Sequence, residues 1–276
     1  MMQPRLQDRL SRDGRAGTSG LDALGVPTEP SARERYVREM FDAISPRYDL
    51  LNRLLSLGQD VLWRRRAARL AVTGLPRGSR VLDLATGTGD LAKELLDQLG
   101  PGGEVVGVDF ALQMMEHARR KLGRRLTLVA GNGLLLPFAS GAFGAATMAF
   151  AARNVVDLRR CFEEMRRVVR PGGRVVCLEL SHPRGRLWPA LYHFYFYRIV
   201  PKIGQWFIGR RDPYRYLPHS LTPFPDQDRL RAIMQSAGLE RVRYYDLLGG
   251  IAAIHVGEVP PGAGTAPAEV EAREWT

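Results

Sequence analysis

The chain has 276 residues, 45% apolar and 25% charged. That is enough for one sizeable α/β domain with appendages, and no apolar run is long or clean enough to cross a bilayer, which excludes an integral membrane protein. The net charge of +11 draws anions, whether nucleic acid, an anionic membrane face or an acidic metabolite, but no basic run with interleaved aromatics marks a strand-gripping surface, so nucleic acid is not expected as a partner.

Residues 1 to 31 mix Arg, Asp, Gly, Ser and Pro with few large apolar side chains and no secretory segment, and read as a disordered extension. From residue 32 the pattern turns amphipathic: Tyr36, Met40, Phe41 and Ile44, a break at Pro46, then Tyr48, Leu51, Leu54 and Leu55, then Leu62, Trp63 and the run Arg64-Arg65-Arg66. These are helices that precede the first strand and are placed to cover a cleft. The arginine run reads as a solvated helix face.

From Arg80 short apolar runs alternate with helical patterns, the mark of βαβ units on a parallel sheet. Strands are expected at Arg80–Leu84, Glu104–Asp109, Leu126–Ala130, Ala145–Phe150 and Arg174–Leu180, with two more at Val242–Tyr245 and Ala252–Val256. Helices are expected at Asp90–Leu99, Leu112–Leu122, Leu158–Val169 and Gln227–Ala237. The expected fold is therefore α/β, a doubly wound, mostly parallel seven-stranded sheet spanning residues 32–258. Residues 183–225 fit no sheet pattern. They carry Trp188, Tyr192, Phe194 to Tyr197, Trp206 and Phe207 among prolines and basic residues, and read as an inserted helical lid. Residues 259–276 read as a disordered tail. Cys161 and Cys177 lack metal-ligand spacing or a paired framework and read as buried residues of a reducing compartment. His182, His193 and His219 lack metal spacing too, so no metal is assigned.

The stretch Val81-Leu82-Asp83-Leu84-Ala85-Thr86-Gly87-Thr88-Gly89-Asp90 is a strand running into a glycine turn and out into a helix. Gly87 and Gly89 let the backbone turn tightly and approach a ligand. Gly87 to Ala92 formally fits the dinucleotide fingerprint, and Asp109, ending the second strand, sits where its ribose-binding acid belongs, so an NAD-dependent oxidoreductase is a rival reading. Asp83 and Asp90 argue against it. Two carboxylates near the helix N-terminus crowd the place a pyrophosphate needs, whereas S-adenosyl-L-methionine brings a sulfonium and an ammonium and no phosphate. Asp90 also reads as a plain N-cap. Past the third strand, Asn132 with Gly133 offers either an adenine contact or an ordinary turn.

With these residues in place the chain resembles a class I (Rossmann-like) S-adenosylmethionine-dependent methyltransferase. Tyr48 to Ser56 ending at Trp63, Phe150-Ala151-Ala152-Arg153-Asn154-Val155, Arg167 to Gly173 through Glu179-Leu180-Ser181, Asp212 to Leu217 and Phe224-Pro225-Asp226-Gln227 resemble signatures of the menaquinone/ubiquinone biosynthesis C-methyltransferase family, in order. The resemblance covers Arg35 to Gly257. It implies methyl transfer to a ring carbon of a polyprenylated quinol, demethylmenaquinol first, with cofactor contacts at Thr88, Asp109, Asn132 and Gly133. Asp83, Gly87 and Gly89 complete the expected cofactor site. The chain departs from the family at Leu51 for methionine, Arg170 for lysine, Asp60 for histidine and Ala149 for a cofactor-contacting serine.

Carbon methylation needs a nucleophilic ring carbon, which a quinol gains when its hydroxyl is deprotonated or polarised. At the carboxyl end of the fourth strand, Arg153 is the expected stabiliser of that phenolate or orienter of a water, and is itself too strong a base-holder to take the proton. Asn154 and Tyr48 are expected to hold ring oxygens. The alternatives are a surface arginine, a helix cap and a packed aromatic. An isoprenoid tail would suit the aromatic lid, and arginines near the channel mouth would suit anionic lipid, giving a cytoplasmic protein in peripheral contact with the membrane. A homodimer and a non-catalytic scaffold of a quinone-biosynthesis complex stay open.

Overall fold

The structure is a computed structural model, and the residues described are 26–27, 29–45, 48–183 and 220–262. Most of the expected lid (184–219), residues 1–25 of the extension and 263–276 of the tail lie outside them.

Three helices come first: α1 (Pro30–Ile44), α2 (Tyr48–Leu55) and α3 (Gln59–Val72). Glu29 caps α1, its carboxylate accepting from the N–H groups of Ser31 and Ala32, as an acceptor at a helix start should. Within the stretch expected as an extension, Val26 is buried with Val37 and Met40. The alternation proper runs β1 (Arg80–Leu84), α4 (Asp90–Leu99), β2 (Glu104–Asp109), α5 (Leu112–Leu122), β3 (Leu126–Ala130), β4 (Phe143–Ala149), α6 (Leu158–Val168), β5 (Val169–Leu180), α7 (Gln227–Ser236), β6 (Glu240–Leu247) and β7 (Ala252–Glu258). The sheet order is β3-β2-β1-β4-β5-β7-β6. Strands β1 to β5 pair in parallel, and β7 runs antiparallel to both β5 and β6.

Because side chains alternate along a strand, neighbours in β1 and β2 serve opposite faces. Val81 and Val105 pack with Ala67, Ala68 and Ala71 of α3, Leu91 and Leu95 of α4, and Leu122 of α5. Leu82 and Val106 pack with Phe162 and Met165 of α6, and Leu230 and Met234 of α7. Burial on both faces explains why the strands read as continuous apolar runs.

Parts of the stretches expected as lid and tail pack on the domain. Leu221 and Phe224, within the 183–225 stretch, are buried in the domain. Val259 is buried too and exchanges backbone hydrogen bonds with Gly172 and Gly173. The chain leaves β5 at His182, whose ring Nε2 pairs with the Phe224 carbonyl at 2.9 Å, and buried Gln227 donates to the His182 carbonyl at 3.1 Å. Departure and return are thereby fastened to each other.

Candidate active site

Between β1 and β4 the strand order turns back on itself, and a crevice opens there at the carboxyl ends of the strands, as open α/β sheets require. The cleft holds about 910 Å³ of empty space, part of it open to solvent. Ala85 and Gly87 of the glycine turn, Asp109, the pair Asn132-Gly133, Phe150 and Asn154 line it, and Val37 and Phe41 of α1 lie against it. The turn can lie this close to β2 only because Gly107 has no side chain: a Cβ there would stand 2.8 Å from Thr86 Cγ2. Gly89 holds φ +82° at the start of α4, and a Cβ on it would come within 3.0 Å of Leu122 Cδ1. Two non-glycine residues, Ala85 (φ +53°) and Phe150 (φ +56°), hold strained left-handed conformations at the ends of the two central strands, and both line the cleft. Strain of this kind concentrates at functional sites.

Asp109 is the only carboxylate in the described wall of the cleft. Its Oδ2 accepts from the Gly87 N–H at 2.8 Å and its Oδ1 from the Ala111 N–H at 2.9 Å, so it ties β2 to the glycine turn with lone pairs to spare. Burial raises its pKa against those hydrogen bonds. Cys161 is the other ionisable group in the wall; burial pushes its thiol up to about 12, so it is neutral. No Lys, Arg or His side chain is among the described lining residues.

This corrects the reasoning from Asp83 and Asp90, neither of which lines the cleft. Asp83 is buried beneath the turn, accepting from the hydroxyls of Thr86 and Thr147 at 2.8 Å each, and burial lifts its pKa to about 6. It holds the turn from below. Asp90 is matched by Lys121 at 2.7 Å and Arg64 at 3.9 Å. Asp109 is the acid that the ribose of either cofactor would use; what favours a positively charged ligand over a pyrophosphate is that no cation stands among the described lining residues.

The other expected residues divide. Gly133 and Asn132 line the cleft, and the Asn132 Oδ1 accepts from the Leu134 N–H at 2.9 Å, so it does serve as a turn residue as well. Thr88 and Gly89 do not line it; the Thr88 hydroxyl donates to Asp49 of α2. Tyr48 opens α2. Asn154 lines the cleft in a short turn, Ala152–Asn154. Arg153, one residue before, is not a surface arginine: its side chain is 7% exposed. Its Nη1 donates to Glu179 Oε1 at 2.8 Å and to the Phe150 carbonyl at 2.6 Å, which leaves the guanidinium behind the wall, paired with a buried carboxylate. Glu179, Phe150 and Asp49 stand inside motifs that carry the family resemblance, but the sequence alone assigned none of them a role. A carboxylate inside the apolar run of β5 was the available signal for Glu179. For Phe150, under the Arg64 guanidinium at 5.0 Å and the Trp63 ring, there was none.

The profile of the ubiE/COQ5 methyltransferase family matches residues 30–259. The chain belongs to the ubiE/COQ5 methyltransferase family. A demethylmenaquinone methyltransferase of Thermus thermophilus is 49% identical over 224 residues, 80% of this chain and 100% of that protein. The protein of that name in Deinococcus radiodurans is 46% identical over 80% of this chain and 92% of its own length. A ubiquinone/menaquinone biosynthesis C-methyltransferase of Geotalea uraniireducens is 44% identical over 80% and 95%. Among solved structures, the [4+2]-cyclase SpnF aligns with a TM-score of 0.59 at 17% identity over 82% of this chain and 96% of that one, a likeness of fold. Membership in a methyltransferase family gives no support to the NAD-dependent or scaffold readings. A methyl donor is what the cleft must take, and the acid-only wall fits S-adenosyl-L-methionine, cationic and free of phosphate.

Proposed function

We propose that the protein is an S-adenosyl-L-methionine-dependent C-methyltransferase of quinone biosynthesis, and that its acceptor is a polyprenylated quinol, with demethylmenaquinol converted to menaquinol. The observation that carries the reading is the family match across the whole α/β domain, joined to a cleft wall that holds one carboxylate and no cation. When bound, the donor supplies an electrophilic methyl group on a sulfonium.

The chain's own residues do the rest. Asp109 has unused lone pairs for the ribose hydroxyls while it fixes Gly87. Asn132 and Gly133 take the adenine end, and Ala149, in the wall where the family carries a serine, leaves that contact to the backbone. Asn154 has both donor and acceptor capacity for a ring oxygen, and a tyrosine hydroxyl such as that of Tyr48 has the same capacity for the other. Arg153 lies one residue away in an ion pair with Glu179, its direction set by that carboxylate and by the Phe150 carbonyl; the pair carries no net charge, and its positive end, turned towards the acceptor, would favour the quinolate over the quinol. A water oriented by Arg153 would take the hydroxyl proton, which raises electron density at the ring carbon beside it; once that carbon has gained the methyl group, its own hydrogen would leave as a proton and restore the aromatic ring.

The acceptor's isoprenoid tail makes the bilayer its source, so the protein works in peripheral contact with a membrane. No helix among the described residues is long and apolar enough to cross one. Exposed Leu50 and Leu57 flank Arg53 at the end of α2, and Leu62 is exposed on α3 beside Arg65 and Arg66, a mixture that suits an anionic lipid surface.

Quinone profiling of a strain lacking the protein tests the acceptor. Accumulation of demethylmenaquinone is the expected result; accumulation of an unmethylated ubiquinone precursor would move the acceptor to a benzoquinol, and an unchanged quinone pool would overturn the reading.

A further inference from the structure

Helix α2 carries Tyr48, yet none of its side chains from Asp49 to Leu55 that the structure describes is fully buried. Its polar ties therefore matter beside the partial burial of Leu54 and Leu55. They converge on Asp49, whose carboxylate accepts from the Thr88 hydroxyl and from Lys121 Nζ. Lys121 also donates to Asp90 at the start of α4, at 2.7 Å, and Asp90 faces Arg64, itself paired with Asp60. Three carboxylates thus share two cations, which leaves one negative charge beside the glycine turn.

The direction of the Thr88 bond has a chemical consequence. A hydroxyl owns one proton and two lone pairs, and an ionised carboxylate can only accept. With its proton committed to Asp49, buried Thr88 presents only lone pairs to a ligand at the adjacent Gly87. An oxygen restricted to accepting recognises an N–H donor and rejects a carboxylate. Resting on the reading of Thr88 as a cofactor contact, we infer that Asp49 is a positioning residue that sets the Thr88 hydroxyl as an acceptor and so selects the ammonium end of the donor's amino-acid arm. The surplus negative charge of the Asp49–Lys121–Asp90–Arg64–Asp60 cluster acts in the same direction. The family's histidine, replaced here by Asp60, would not supply that charge when neutral.

Calorimetry with two ligands isolates the effect. S-adenosylhomocysteine carries the amino-acid arm, and 5′-deoxy-5′-methylthioadenosine has the same nucleoside and sulfur without it. In Asp49→Asn, whose amide can donate to Thr88 and reverse its polarity, S-adenosylhomocysteine binding weakens about tenfold or more, the loss of a hydrogen bond to a charged group, while methylthioadenosine stays within about twofold. Lys121→Met also removes a tie of α2 but leaves the Thr88 bond in place and adds to the surplus negative charge, so it is expected to bind S-adenosylhomocysteine at least as tightly as the parent. If Asp49→Asn weakens both ligands equally, or if Lys121→Met and Asp49→Asn behave alike, Asp49 merely docks α2 and the inference is wrong. Thr88→Val separates the underlying reading: a selective loss of S-adenosylhomocysteine there with no loss in Asp49→Asn overturns the role of Asp49 alone, and no loss in Thr88→Val removes Thr88 from the site.

Discussion

Arg153 and Glu179 form an ion pair at 2.8 Å with side chains 7% and 2% exposed, and this burial makes a simple activity test of Arg153 ambiguous. Replacing Arg153 with alanine strands a buried carboxylate, which costs about 3–5 kcal/mol. In a domain of this size that corresponds to a fall in Tm of about 6–20 °C. Loss of turnover in Arg153→Ala could then reflect unfolding as easily as chemistry. Glu179→Gln removes the stranded charge, and its one amide oxygen can keep one of the two N–H groups that the carboxylate holds in the parent protein, Leu180 on Oε1 at 2.8 Å or residue 153 on Oε2 at 3.3 Å. The double variant Arg153→Ala/Glu179→Gln is therefore expected to recover most of the lost Tm, to bind S-adenosylhomocysteine within about threefold of the parent, and to remain inactive in methyl transfer to a quinol. Scanning calorimetry, titration calorimetry and a labelled-methyl assay read the three quantities separately. A double variant that regains turnover would refute the role of Arg153 at the acceptor; an Arg153→Ala protein that melts within about 2 °C of the parent would refute the energetic account of the pair.

Other expectations follow from the buried acids and the tight turn. Burial raises the Asp83 carboxyl from the ordinary aspartate value to about 6, so the folded state holds this proton more tightly than the unfolded chain, and stability drawn from it falls as pH rises from about 4 to 6. Asp83→Asn should accordingly gain on the parent by up to about 3 kcal/mol at pH 8, with the gain shrinking towards pH 4, as followed by urea unfolding; a gain independent of pH would contradict the placement of this carboxyl. S-adenosylmethionine carries one more positive charge than S-adenosylhomocysteine, so its advantage in binding should shrink as pH falls through 6, measured as the ratio of the two Kd values. Asp109→Asn should weaken both ligands at least about tenfold, since it removes a charged partner of the ribose and disturbs the Gly87 tie. Gly107→Ala drives a Cβ to within 2.8 Å of Thr86 and should cost about 1–3 kcal/mol in stability and displace the glycine turn, which nucleotide binding and calorimetry would show.

The fold was legible because its physics is local. Strands buried on both faces leave unbroken apolar runs, and β1, β2 and β3 fall where those runs predict, residue for residue. Boundaries slipped where side-chain pattern does not govern. The β4 strand starts at Phe143, two residues early, through residues whose pairing to β5 shifts register between Phe143 and Ala145. Val26 and Val259 are single apolar residues in polar surroundings, and only tertiary contact shows that they are buried. The place of Asp109 and Asn132 in the cleft wall was readable because strand-end position determines where they project. The side-chain directions of Asp83 and Asp90 were not, since both belong to ion and hydrogen-bond networks with Thr147, Lys121 and Arg64, far from them in sequence. The same holds for Arg153, whose partner Glu179 lies on the next strand.

The central claim is methyl transfer to carbon. Purified protein incubated with methyl-labelled S-adenosylmethionine and reduced demethylmenaquinone should give menaquinol with the label on the ring carbon, resolved by mass spectrometry and carbon NMR. Label on a quinol oxygen, or none on the quinol while a control methyltransferase labels its own acceptor in the same mixture, would contradict it.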